Sequence, residues 1–343
     1  MNHSIKNNRK VNIEILRILS MLLVMVIHYN VPINGQTSHE MLMAMPMKTL
    51  GVTILKSLSF LCVNSFILIS GYFGIHWKWK SICNYLFQIF IWSIFVYFIC
   101  VIVGVHCFNV KSFIHQVFFC LGYNWFFTVY LGLYMMAPVL NKFIEHVEEK
   151  QLATFLIVYL LYQTIFGYIL KNRYEFNQGL TIMSFIGLYL IGSYLRKTTL
   201  GIFKLSANKN LLVYLTITFL LVIISITANF FGFNKDIFSY INPFVILQTV
   251  FLFLFFRELK IKKYEKIILF FSSSSFAGLL IHSFDGGILY NSILYKIDNT
   301  LPLPFIFTML FIFSWFTFAV LLDKIRILIF KLTFDLSFDT IIY

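Results

Sequence analysis

Stretches of about 20 apolar residues recur along the chain, and they constrain its fold more than any other feature. A helix of that length crosses the ~30 Å hydrocarbon core of a bilayer and satisfies its own backbone polar groups there. Of the 343 residues, 59% are hydrophobic and 12% are charged, whereas about a quarter of a soluble domain is charged. The sequence therefore predicts an all-α, polytopic transmembrane helical bundle of about ten spans. The predicted spans are residues 12–32, 49–75, 82–106, 122–144, 152–170, 180–195, 211–232, 243–257, 267–290 and 303–322.

Two details qualify this pattern. The sixth and eighth spans are short, and the ninth is interrupted by the serine run SSSS at residues 272–275. Short alternating segments, which are typical of outer-membrane barrels, do not occur. Because no repeat or second domain is apparent, residues 1–343 are predicted to form a single transmembrane domain.

The distribution of lysine and arginine predicts the orientation. With the N-terminus inside, nineteen of the 27 basic residues fall on the cytoplasmic side, and cytoplasmic loops carry such an excess. Both termini are therefore predicted to be cytoplasmic. The basic loops face the anionic inner leaflet of the lipid bilayer, which accounts for the net charge of +13 without any nucleic-acid partner.

The cysteine and histidine spacings argue against a metal site. The five cysteines are scattered without a C-x-x-C pair, and no cluster of His, Cys or carboxylate residues has ligand spacing in the sequence. We expect no metal and no permanently bound cofactor.

The first span carries three ionisable residues in the segment EILRILSMLLVMVIH. Arg17 and His28 are eleven residues apart, so they share one helix face and lie about 16 Å apart along its axis. Glu14 lies one turn before Arg17 and can pair with it. Alone, Arg17 is also consistent with snorkelling to the interface, and His28 with a neutral imidazole bonded to a neighbouring backbone. Placing ionisable residues within a membrane costs free energy, so their occurrence together on one helix face favours a functional cavity.

Their chemistry suits a donor with phosphates at one end and a reactive group on a long arm. Arginine binds phosphate with a bidentate fork, and histidine is a common general base. Acyl-coenzyme A has that shape. The acyl group would then meet a hydroxyl that arrives from the outer side.

Five segments carry a resemblance to a known family. EILRILSMLLVMVIH (14–28), VNSFILISGYF (63–73), NWFFTVYLGLYMMAPVLNKFI (124–144), YLIGSYLRK (189–197) and SSSSFAGLLIHSF (272–284) occur in the order of its signatures. The chain thus resembles the acyltransferase-3 family of integral membrane O-acyltransferases, especially members that decorate bacterial surface polysaccharides. The resemblance implies a bundle of about ten helices in a bacterial plasma membrane.

The resemblance also implies roles for particular residues. His28 matches the catalytic base proposed for the family and Arg17 its essential arginine, with Glu14 beside it. Many members carry an R-x-x-R pair that is thought to contact the coenzyme A phosphates. Here the segment HWKWKS offers Lys78 and Lys80 instead, which bind phosphate as point charges without the fork.

Four polar or aromatic residues are weaker candidates for lining the cavity. They are Asn64, Ser70, Trp125 and Tyr130. Asn64 and Ser70 lie on different faces of one helix, and the Ser70–Gly71 pair also suits close packing of two helices. Trp125 and Tyr130 would equally suit an aromatic belt.

His282 and Asp285 are candidates of a different kind, because they are three residues apart in the ninth span. An aspartate that orients a histidine is a common catalytic device. Hydrogen bonding between helices explains the pair as well.

The sequence thus favours transfer of an acyl group, with acetyl as the expected group, from cytoplasmic acyl-coenzyme A to a cell-surface glycan or its lipid-linked precursor. A membrane glycan polymerase or ligase is the alternative, although these usually have a large outer loop. A secondary transporter would predict two similar halves with broken helices, and the sequence lacks such symmetry.

Overall fold

The computed structural model describes residues 10–34, 37–171, 174–233, 237–261, 263–300, 302 and 304–331. Within these ranges the chain is helical and contains no strand, which confirms the all-α prediction. A π-helical segment, Gln163–Ile169, continues the eighth helix. The α-helices of this part of the chain are α1 (Val11–Asn34), α2 (His39–Ala44), α3 (Pro46–Ser59), α4 (Cys62–Phe73), α5 (Trp79–Ile102), α6 (Val110–Phe118), α7 (Trp125–His146), α8 (Glu149–Tyr162), α9 (Ile182–Lys197), α10 (Ala207–Phe230), α11 (Pro243–Glu258), α12 (Glu265–Ser272), α13 (Ser275–Ser283), α14 (Ile288–Thr300) and α15 (Pro304–Phe330).

Eight stretches among the described residues are long and apolar enough to cross a membrane, so the chain is a multi-pass membrane protein. The count of ten spans stays a prediction. The cytoplasmic placement of both termini also stays a prediction, because the termini lie outside the described residues. The eight stretches are Val11–Asn30, Pro46–Phe73, Trp79–Ile102, Trp125–His146, Glu149–Ile169, Ala207–Phe230, Glu265–Ser283 and Pro304–Phe330.

The sixth and eighth predicted spans form α9 and α11, which have 16 residues each. Helices of this length extend about 24 Å and fall short of a ~30 Å hydrocarbon core. In α9 eleven of the 16 residues are buried, and in α11 ten are. Protein surrounds most of both helices, and their length therefore need not match the thickness of the bilayer.

Close contact between α4 and α9 depends on small residues. A methyl group on Gly71 would overlap the carbonyl oxygen of Tyr189, and one on Gly192 would overlap that of Leu68. The hydroxyl of Ser193 donates to the Gly71 carbonyl across the same contact, at 2.8 Å. Small residues let membrane helices approach closely, as the Ser70–Gly71 pair suggested.

The serine run interrupts the ninth predicted span, as expected. Helix α12 ends at Ser272 and α13 begins at Ser275. The hydroxyl of Ser275 donates to the Ser272 carbonyl, at 3.0 Å. Serine hydroxyls compete for backbone partners in this way, which favours a break where several occur together. The exposed Ser273 lies in this break.

Arg326, one of the nineteen basic residues on the predicted cytoplasmic side, is buried in the protein. Arg326 lies on α15 and pairs with Asp323, with 2.6 Å between its Nε and the aspartate Oδ1. Helix α5 supplies further partners, since Asn84 accepts from Arg326 and Gln88 donates to Asp323. The hydrogen bonds compensate for the cost of burying two charges and fasten α15 to α5.

Helix α1 is central to the arrangement, because it packs against α3, α4, α11 and the run of helices from α12 to α15. Polar side chains on α1 are therefore directed at protein rather than lipid. This placement is what allows the first span to carry ionisable groups at moderate cost.

Candidate functional site

A cavity of about 280 Å³ lies between α1, α4, α5, α7 and the α12–α13 break. Helix α1 contributes Glu14, Arg17 and His28 to its wall. The predicted sharing of one helix face is therefore observed. The end of the cavity beside Arg17 and Ser273 is an open end, because Ser273 is exposed and the Arg17 side chain is 35% exposed.

Glu14 and Arg17 form the predicted pair. The Oε1 atom of Glu14 lies 3.5 Å from Nε of Arg17, and the Glu14 side chain is only 6% exposed. The contact is an ion pair without a hydrogen bond, since Arg17 Nε makes no hydrogen bond to any described residue. Glu14 thus partly compensates the positive charge of Arg17, whose side chain lines the cavity.

His28 is paired with His282 across the bundle. Nδ1 of His28 lies 2.6 Å from Nε2 of His282, and Nδ1 of His282 lies 2.5 Å from the Gly278 carbonyl. A carbonyl oxygen only accepts, so His282 Nδ1 carries a proton and its Nε2, in the neutral ring, is an acceptor. His28 then donates from Nδ1. Its Nε2 is left with the free lone pair that a base requires.

The expected pairing of Asp285 with His282 does not form. Asp285 follows the end of α13 and has a left-handed backbone conformation, with φ at 55°. The helical rule that brings residues i and i+3 together does not apply beyond the helix end. Asp285 instead accepts from His106, with 2.9 Å between Oδ2 and Nε2. Neither His282 nor Asp285 lines the cavity.

Tertiary folding brings together three potential metal ligands that the sequence spacing did not reveal, while the expectation of no metal stays a prediction. Cys100, His106 and Asp285 are separated in the sequence, but their ligand atoms all lie within 4.8 Å of one another. The expectation depended on sequence spacing alone, which cannot detect ligands brought together from different segments.

Three of the weaker candidates line the cavity. Ser70, Trp125 and Tyr130 do so, and the hydroxyl oxygens of Ser70 and Tyr130 lie 3.4 Å apart. Asn64 does not line it. Its side chain donates to the Tyr240 carbonyl at 2.8 Å, and Tyr240 is a lining residue.

Aromatic side chains form a further part of the cavity wall. Tyr85 packs against Tyr130 and stacks on Phe276, with ring centroids 5.8 and 5.5 Å apart. Trp125 packs against Tyr240 at 5.9 Å. Sequence reasoning missed Tyr85, Phe276 and Tyr240, because a chain with 42 Phe and 19 Tyr offers no signal that singles them out.

Lys78 and Lys80 are exposed and do not line the cavity. The loop before α5 is nevertheless near it. The Tyr134 hydroxyl accepts from the Lys78 backbone amide at 3.1 Å, and Tyr134 lies one helical turn, about 6 Å, beyond the lining residue Tyr130. Arg196 approaches the same loop, since its guanidinium is 3.4 Å from the Phe73 carbonyl.

A lysine at the open end was not singled out from the sequence. The ammonium group of Lys324 donates to the hydroxyl of Ser273, at 2.8 Å, and to the Phe270 carbonyl, at 2.6 Å. Ser273 lines the cavity. Lys324 therefore places a positive charge beside the Arg17 end. Nothing in the sequence indicates that Lys324 lies near the cavity, since Lys324 is only one of the nineteen basic residues on the predicted cytoplasmic side.

Comparison with known proteins identifies the family. No curated protein and no solved structure matches the chain. The family model of the acyltransferase-3 type, described as an acyltransferase domain, matches residues 10–323, nearly the whole chain. That match covers the cavity, the histidine pair and the eight membrane-crossing stretches, apart from the end of the stretch Pro304–Phe330. The chain belongs to the acyltransferase-3 family and is a membrane acyltransferase.

Proposed function

We propose that this acyltransferase transfers an acetyl group from cytoplasmic acetyl-coenzyme A to a hydroxyl of a cell-surface glycan or of its lipid-linked precursor. The observation that carries the proposal is the placement of Arg17 and His28 on one wall of one cavity. An anion-binding group and a base lie there about 16 Å apart along the helix axis.

The size of the cavity suits the reactive end of the donor. Sites for small ligands usually have volumes of 300–1,000 Å³, and about 280 Å³ accommodates an acyl thioester and part of its arm. The phosphates would then stay at the open end, where Arg17 and Lys324 supply positive charge. Lys78, Lys80 and Arg196 supply further positive charge at or near the loop before α5, which suits the outer part of the nucleotide.

The transfer step follows from the state of the histidine pair. His28 Nε2 accepts the proton of the sugar hydroxyl as its oxygen attacks the thioester carbonyl. The carbon–sulfur bond then breaks, and the proton passes from His28 to the departing thiolate, which leaves as free coenzyme A. His282 holds the His28 ring in the required tautomer throughout, through the bond to Nδ1.

A transient acyl-histidine is the alternative route. Nε2 of His28 would attack the thioester itself and carry the acyl group to the sugar. Incubation of the purified protein with labelled acetyl-coenzyme A and no acceptor separates the routes. Label on His28 supports the carrier, and unlabelled protein supports the base.

The test compares O-acetyl groups on surface glycans in cells with and without the gene. Cells that carry His28→Ala are expected to lose them, because general-base assistance contributes about 10²–10⁴ in rate. The purified variant is still expected to bind acetyl-coenzyme A. His146→Ala is the matched control, since His146 is exposed at the end of α7. Unchanged glycan acetylation on deletion of the gene would refute the glycan as acceptor.

A further inference from the structure

Cys100, His106 and Asp285 meet away from the cavity, at the end of α5. The three ligand atoms lie within 4.8 Å of one another, and His106 Nε2 lies 2.9 Å from Asp285 Oδ2. The set combines a sulfur, an imidazole nitrogen and a carboxylate oxygen, all of which bind Zn²⁺. We propose that these three residues form a binding site for a divalent cation of the zinc class.

The local sequence brings His106 back over the helix end. Gly104 has a φ of 80°, which a glycine adopts readily. The Val105 amide donates to the Cys100 carbonyl at 2.8 Å, and the Gly104 amide to the Val101 carbonyl at 3.1 Å. These two bonds are the Schellman motif that ends many helices. The chain therefore reverses at once, and His106 comes to lie beside the last turn of α5.

Further contacts hold this loop in place. The Tyr97 hydroxyl accepts from the Asn109 amide and donates to the Asn109 carbonyl, at 3.1 and 3.0 Å. The ring of Tyr97 packs on that of His106, with centroids 5.0 Å apart. A ligand that is held before the ion arrives loses less conformational entropy on binding.

Asp285 completes the set from a strained position. Its φ of 55° is uncommon for a residue other than glycine, and residues held in such conformations cluster at functional sites. The helix before it ends at Ser283. The left-handed turn carries the carboxylate away from His282 and towards His106.

The distances suit tetrahedral coordination after small side-chain rotations. Zinc bonds of 2.0–2.3 Å place neighbouring ligand atoms about 3.4–3.6 Å apart, so His106 and Asp285 must separate by about half an ångström. Cys100 is fully buried, whereas the side chains of His106 and Asp285 are 29% and 20% exposed. The exposed side leaves room for water as a fourth ligand.

The donor set also decides the class of ion. A thiolate and an imidazole favour zinc over magnesium or calcium, which prefer oxygen ligands. Binding would release the Cys100 thiol proton to the medium. The ion would join the end of α5 to the segment that follows His282. Within that segment, Gly287 lies close to the His282 carbonyl.

The experiment uses the full-length protein, purified in detergent, stripped with a chelator and titrated with Zn²⁺ and separately with Co²⁺. We expect about one tightly bound zinc per chain and, with cobalt, the charge-transfer absorption of a thiolate ligand. Cys100→Ser should abolish that absorption, and His106→Ala and Asp285→Asn should lower the zinc affinity at least tenfold. Cys83→Ser, on the same helix, should retain both signals.

Two results would overturn the proposal. One is wild-type protein that binds no zinc beyond the amount bound by Cys100→Ser. The other is a cobalt spectrum of wild-type protein without thiolate absorption, which needs no variant and so does not depend on whether a variant folds. Neither measurement uses acyl transfer, so failure here would leave the proposed activity untouched.

Discussion

Replacement of His282 tests whether the bundle positions the base as the geometry implies. His282→Leu removes the acceptor that lies 2.6 Å from His28 Nδ1 and fills a site that is 1% exposed. The His28 donor is then left without its partner. An unsatisfied buried donor costs about 1–3 kcal/mol, and the His28 ring can turn or change tautomer to avoid that cost.

The expected loss follows from that free energy. If the productive tautomer and orientation become less favourable by about 1–3 kcal/mol, kcat falls roughly 5- to 150-fold, since 1.36 kcal/mol is a factor of ten. The KM for acetyl-coenzyme A should change little, because His282 does not line the cavity. His282→Gln should restore part of the rate, since its amide oxygen can accept from Nδ1.

The assay is initial-rate acyl transfer from labelled acetyl-coenzyme A by protein in lipid vesicles, with kcat and KM measured separately. His39→Ala serves as a matched control, because His39 contacts the end of α10 and lies outside the cavity wall. Near-wild-type kcat for His282→Leu would refute the positioning role. So would a loss confined to the KM for the donor, or a Gln variant no better than the Leu variant.

Three further predictions concern the donor site and the packing of the bundle. Lys324→Ala should weaken acetyl-coenzyme A binding, measured by titration calorimetry, more than Lys78→Ala does. Of these two lysines, only Lys324 contacts a residue of the cavity wall, Ser273. A desolvated charge-assisted hydrogen bond contributes about 1.5–3 kcal/mol. The reverse order would place the phosphates at the loop before α5. Gly192→Val should lower the yield of folded protein on size-exclusion chromatography, because the valine side chain would overlap the α4 backbone. A normal yield and a normal thermal stability would contradict the close contact between α4 and α9. Asp323→Ala should lower the free energy of unfolding by about 3–5 kcal/mol, because the buried Arg326 loses its counter-charge. Asp323→Ala combined with Arg326→Met should recover much of this in thermal unfolding, and a double variant no more stable than the single one would argue against the pair.

Features that depend on a single helix could be predicted from the sequence. The apolar stretches predict helices because a bilayer leaves the backbone no other partner. The eleven-residue spacing places Arg17 and His28 on one face because helical geometry is local. The serine run predicts the α12–α13 break for the same reason, since its hydroxyls compete for nearby carbonyls.

Contacts between helices needed the tertiary structure. His28 and His282 are 254 residues apart, and His106 and Asp285 are 179 apart. In a soluble protein, the polar face of a helix reveals which side meets water. Here most faces are apolar whether they meet lipid or protein, so the sequence gives little indication of which helices are neighbours.

The sequence by itself determined the family, the helical class and the residues that α1 presents along one stripe. Only the tertiary structure decided that His282 holds His28, that Asp285 turns away to His106, and that Arg326 is buried beside Asp323. The physical reason is the same in each case. Periodicity along a chain records the faces of one helix, whereas hydrogen bonds between distant helices depend on how the bundle packs.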